Sequence, residues 1–96
     1  MNVGICKVKI RLPENHSLKG KRGVVKSLTA RLKNKFNVSV AEVEDHDLWQ
    51  LATIGICCIN NDQNLTNEIL SKALKFIATS EFDIEVLDHE TEIIPV

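Results

Sequence analysis

Along the first residues apolar and charged positions alternate. From Val3 to Leu12, Cys6, Val8, Ile10 and Leu12 point one way and Lys7, Lys9 and Arg11 the other, the period of a half-buried β-strand. Pro13 to His16 reads as a turn, because Pro13 has no N–H to give to a ladder. From Ser17 to Phe36 the period becomes helical, with Leu18, Val25, Leu28, Leu32 and Phe36 on one side. Ser17 suits an N-cap, although Gly20 stands where a Glu or Gln would complete a capping box. Gly20 and Gly23 each cost about 1 kcal/mol against Ala in a helix interior. Either packing holds these turns, or the backbone must come close to something there.

Asn37 can end the helix, and Val38 to Glu44 is strand-like through Val38, Val40 and Val43. Glu44, Asp45, His46 and Asp47 form a charged turn, too polar for an interior. A third strand runs from Trp49 to Asn60, and its middle, Ile54 to Ile59, is apolar at both parities, as in a central strand covered on both faces. Asn60 to Asp62 supply a turn and helix caps. A second helix over 63–79 buries Leu65, Ile69, Ala73, Phe76 and Ile77. The last strand, Ile84 to Ile94, carries Glu85, Asp88, Glu90 and Glu92, and Pro95 ends it.

The order β-α-β-β-α-β predicts a ferredoxin-like α+β fold over residues 1–96 as one domain: a four-stranded antiparallel sheet with two helices on one face. The first and third strands are then central and the sheet order is 4-1-3-2. Acids on the last strand protect an edge against pairing. The open face should carry Lys7, Lys9, Arg11 and one parity of the third strand, a mixture suited to a partner.

Charge changes the picture. The 96 residues are ordinary in composition, 44% hydrophobic and 26% charged, but residues 1–36 hold ten Lys or Arg against one acid, Glu14, and residues 37–96 hold two against twelve. This asymmetry points to an anionic partner, nucleic acid above all, with neutralisation inside the fold as the competing explanation. At about 100° per residue, Lys19, Arg22, Lys26 and Lys33 share a stripe beside the apolar face of the first helix, which contains no acid. The RNA-contacting set expected from charge is therefore Lys19, Lys21, Arg22, Lys26 and Lys33 on the helix, with Lys7, Lys9 and Arg11 on the sheet. Phosphate contacts of this kind give salt-dependent affinity without reading sequence. The central strands offer neither Tyr nor Phe, so the chain does not read bases as an RRM does.

Several strings resemble the YlxP-like family of small bacterial proteins: Ser17-Leu18-Lys19 with Lys21-Arg22, Val25-Lys26-Ser27-Leu28, Phe36-Asn37-Val38-Ser39-Val40-Ala41-Glu42-Val43, Asp47-Leu48-Trp49-Gln50 with Ala52-Thr53, and Glu85-Val86-Leu87-Asp88. The resemblance implies a ferredoxin-like α+β fold in a bacterial cytoplasmic protein of unknown function, whose gene commonly neighbours those of translation initiation and ribosome-binding factors. It brings no established reaction. Gly20 and Gly23 depart from the pattern, where a Glu and a basic residue are common.

No catalytic residue, metal ligand or cofactor is expected. Acylphosphatases share the element order but need an Arg after the first strand, where this chain has Leu12-Pro13-Glu14-Asn15-His16. His16 stands alone. Asp45, His46 and Asp47 are neighbours in one turn and cannot converge on an ion without further ligands. Cys6, Cys57 and Cys58 are odd in number and lack CxxC spacing, which suits buried thiols in a reducing compartment. No apolar run approaches the ~20 residues of a spanning helix, and a cytoplasmic location without a membrane partner is expected.

The expected function is an RNA- or ribosome-associated accessory factor, with ribosomal RNA or the ribosomal particle as partner. The alternative is a homodimeric interaction module that uses the open sheet face without nucleic acid, with Trp49 as an interface anchor. Trp49 could equally lie as a lid over the helix end.

Overall fold

The computed structural model describes residues 1–96. Two ten-residue strands, β1 (Asn2–Arg11) and β3 (Leu51–Asn60), pair antiparallel along their whole length and form the centre of the sheet. β2 (Ser39–Glu44) flanks β3 and β4 (Glu85–Pro95) flanks β1, giving the order β2-β3-β1-β4 with every neighbour antiparallel. Two helices, α1 (Leu18–Lys35) and α2 (Gln63–Ala78), complete the expected β-α-β-β-α-β order. The fold is ferredoxin-like α+β with one open sheet face.

Parity decides which side chains go inside. Cys6, Val8 and Ile10 stand opposite Ile56, Ile54 and Ala52, and all six are buried under the helices. The other parity, Ile5, Lys7, Lys9 and Arg11 against Cys57, Gly55, Thr53 and Leu51, forms the open face. Fifteen apolar residues make the core, with Leu28 and Leu32 contributed by α1 and Leu70, Ala73 and Ile77 by α2.

Both helices are capped as their sequences direct. The Ser17 hydroxyl accepts from Gly20 N at 3.0 Å, and the Asp62 carboxylate accepts from Asn64 N and Leu65 N. The buried faces differ from expectation in two places. On α2 the inner row is Thr66, Leu70, Ala73 and Ile77, while Leu65 is exposed and Ile69 and Phe76 are only partly buried. Gly4 on β1 explains the rotation: a Cβ there would run into the Thr66 methyl and a Leu70 methyl, so the bare backbone lets α2 settle close. Thr66 fits inside because its hydroxyl donates to Asp62 O at 2.9 Å. On α1 Leu18 and Phe36 are half-buried, and the inner row is Lys21, Val25, Leu28 and Leu32.

Candidate nucleic-acid interface

The eight expected RNA-contacting cations fall into three environments. On the open face Lys7 donates to Glu44 Oε1 at 2.6 Å, Lys9 lies 3.8 Å from Asp45 Oδ2, and Arg11 lies 3.6 Å from Glu85 Oε2. The register of β4 adds acids from the other side, with Glu90 opposite Lys7 and Asp88 opposite Lys9. The hydrogen bond that Lys7 donates to Glu44, and then the charge of that carboxylate, push the Lys7 ammonium above its ordinary value. This row is neutralised across the sheet.

Lys19, Arg22, Lys26 and Lys33 are exposed, and none has a carboxylate within 4 Å. Other cations of α1 are engaged: Arg31 pairs with Glu81 at 2.5 Å and lies over the Phe82 ring, and Lys35 lies over Phe36 and Phe76. The free stripe also lacks acids in the first turn of the helix. Lys19 there faces the positive end of the macrodipole, and the stripe repeats like charge at three- and four-residue spacing, both of which work against helix stability.

Lys21 corrects the sequence reading. Instead of reaching phosphate, it is fully buried, its ammonium donating to Asp45 O at 2.7 Å, His46 O at 3.1 Å and Leu51 O at 3.1 Å, with Glu42 Oε2 at 3.0 Å. A charge inside a fold needs this complement of partners. The signal was present: Lys21 falls on the same helical row as Val25, Leu28 and Leu32. The charged turn that follows β2 therefore does reach inward, through its carbonyl groups.

The segment between β2 and β3 is fixed at several further points. Asp45 takes a left-handed φ of 66° and its carboxylate accepts from Thr53 Oγ1 at 2.6 Å. His46 Nε2 bonds Glu42 O at 3.0 Å. The carboxylate of Asp45 and the ring of His46 thus serve different partners. Asn15, which the sequence did not single out, joins this segment to α1: its Nδ2 donates to Trp49 O at 2.6 Å and to Ser17 O at 2.7 Å. Its Oδ1 lies where a Cβ on Gly20 would have to go, the close approach that a glycine in the first turn hinted at. Gly23 has no such neighbour. Trp49 precedes β3 and is 56% exposed, so it is no lid over the helix end.

The far end of the open face is apolar. Val3 stands between Ile59 and Ile94, and Ile5 beside Cys57, with Ile5 39% and Ile59 62% exposed. Cys6 and Cys58 are buried and Cys57 is half-buried; all three thiols are free. No helix is long and apolar enough to cross a membrane.

Residues 3–91 match the model of a family described as "Protein of unknown function (DUF503)". The chain is 35% identical over 75 residues to the "Uncharacterized protein YlxP" of Bacillus subtilis (strain 168), covering 78% of this chain and 82% of that one. Among solved structures it is similar to the "De novo designed protein Foldit4", with a TM-score of 0.54, 14% identity, and coverage of 100% of this chain and 99% of that one. That likeness concerns the fold alone.

Proposed function

The chain belongs to the DUF503 family, and we propose that it is a non-enzymatic, cytoplasmic accessory factor that holds RNA, ribosomal RNA in the first place, by phosphate contacts along α1. The observation that supports this reading is the unequal treatment of the cations. Lys7, Lys9 and Arg11 have acids beside them, whereas Lys19, Arg22, Lys26 and Lys33 have none. A stripe free of counter-charge, in which like charges repel one another and Lys19 also opposes the helix dipole, suits a polyanion. Its contacts would be to phosphate, so affinity would fall steeply with salt.

The test is binding to structured ribosomal RNA fragments at several salt concentrations, with the parent chain and Lys19→Glu/Arg22→Glu/Lys26→Glu. Binding that weakens with salt and vanishes in the triple variant is the expected result. A parent that binds none of the fragments at low salt would overturn the reading. A second reading, a homodimer through the open face, draws on exposed Ile5 and Ile59. Light scattering at high concentration tests it, and a clean monomer mass would remove it.

A further inference from the structure

Trp49 is the only tryptophan in the chain, and more than half of it lies in solvent. This exposure does not come from a loose segment. Its carbonyl is held by Asn15 Nδ2, Leu48 N donates to Asp45 O at 3.1 Å, and Gln50 binds Leu12 N through its carbonyl and Pro13 O through its side chain. The buried Lys21 ammonium fastens the backbone on both sides, at Asp45, His46 and Leu51. The fold thus presents an indole, a large apolar surface that is normally buried, from a fixed base.

Its neighbours indicate the occupant. The same Asn15 nitrogen that holds Trp49 O also holds Ser17 O, the residue that caps α1. The Trp49 backbone therefore lies beside the N-terminus of α1, whose exposed Lys19 and Arg22 have no carboxylate within 4 Å. A protein partner's apolar pocket would meet an apolar surround here, since interface cores are depleted of charge. Apart from exposed Leu48, the adjoining residues Asp47, Gln50 and Asn15 are polar. An exposed aromatic next to a helix end that carries unpaired cations is an arrangement that suits single-stranded nucleic acid, base on ring and phosphate on cation.

We propose that Trp49 is the stacking contact for an unpaired nucleobase of RNA whose flanking phosphates lie on Lys19 and Arg22. This rests on the RNA reading above and adds to it a preference for loops and single-stranded segments over duplex. The recognition element is then the segment before β3, since the central strands have no aromatic side chain for it.

Trp49 is its own reporter. Its emission is followed while a short single-stranded RNA, or a duplex of equal phosphate count, is added to the parent, Trp49→Ala and Trp49→Phe; binding of the variants is read by anisotropy of labelled RNA. Expected are quenching by the single strand and not by the duplex, a loss of about tenfold or more in single-strand affinity for Trp49→Ala, partial rescue by Trp49→Phe, and an unchanged salt slope. Equal binding of both RNAs with unaltered emission and a neutral Trp49→Ala would overturn the stacking contact and leave the phosphate reading standing. Absence of binding by either RNA at low salt would overturn both. A blue shift with protein concentration alone, together with a doubled mass, would place the indole between two copies and overturn the proposal.

Discussion

Lys21 Nζ lies 3.0 Å from Glu42 Oε2, yet its three hydrogen bonds go to the carbonyls of Asp45, His46 and Leu51. The carboxylate balances the charge without accepting one of these bonds, and Glu42 Oε2 is buried with no hydrogen-bond partner. Two functions that one surface ion pair would combine are divided here between a side chain and three backbone groups. The arrangement ties α1 to the segment that presents Trp49.

Removing the ammonium should therefore do more than delete a pair. Lys21→Met would leave three carbonyls unsatisfied and Glu42 as an uncompensated inner charge, a loss of about 3 to 5 kcal/mol. Glu42→Gln should cost less, because the ammonium keeps its carbonyls, and Lys21→Met/Glu42→Leu should recover part of the loss. Urea unfolding of the four proteins measures this. A Lys21→Met within about 1 kcal/mol of the parent would mean that the segment is held by other contacts.

Period and parity in the sequence carried the fold: alternation in β1, the two-sided apolar run in β3 and the helical rows gave all six elements and the sheet order. The missing parts share a cause. Lys21 and Thr66 are polar residues that satisfy their polar atoms on backbone carbonyls, so a hydrophobicity pattern passes them over. Neutralisation of Lys7 and Arg11 depends on cross-strand register with Glu44 and Glu85, more than thirty residues away. Register of that kind is set in three dimensions, which is why sequence charge treated the sheet row and the helix stripe alike.

The two glycines of α1 should respond oppositely to alanine. At Gly23 a Cβ meets nothing within 4 Å, so Gly23→Ala should raise stability by up to about 1 kcal/mol. At Gly20 the new methyl would displace Asn15 Oδ1 and with it the bonds to Ser17 and Trp49. Gly20→Ala should gain nothing and should shift the emission of Trp49. Thermal and urea unfolding with the fluorescence of the folded state decides this. A stabilised Gly20→Ala with parent emission would show that Asn15 moves aside without consequence.

The cysteines should differ in reactivity. Burial pushes the Cys6 thiol up, partly offset by the hydroxyl of Thr91 donating to its sulfur at 3.6 Å. Burial raises Cys58 as well, helped by the neighbouring Cys57 and opposed by the backbone of Gly4. Raised folded values mean that the folded chain keeps protons which the unfolded chain releases from about pH 8.5. Stability is thus full below that pH and declines as pH rises through the folded values. Alkylation under native conditions should label half-buried Cys57 first, with Cys6 and Cys58 following only on opening. One common rate for all three, or a stability flat to pH 10 (about 1.5 units above a free thiol), would contradict this.

The open-face cations should be dispensable for RNA binding. Lys7, Lys9 and Arg11 already have Glu44, Asp45 and Glu85 within 4 Å, so a phosphate would have to displace a carboxylate that is covalently part of the same chain. Lys7→Gln/Lys9→Gln/Arg11→Gln makes the chain more acidic, and at low salt that alone would repel RNA over a distance. At about 0.15 M salt the Debye length is ~8 Å, and the long-range part is screened. There the triple open-face variant should bind like the parent with an unchanged salt slope. Lys26→Gln alone should lower the slope by about 0.7 to 0.9, the signature of one lost phosphate contact. The reverse ranking would move the RNA surface from α1 to the sheet, and the acids of β4 would then have to yield to phosphate on binding.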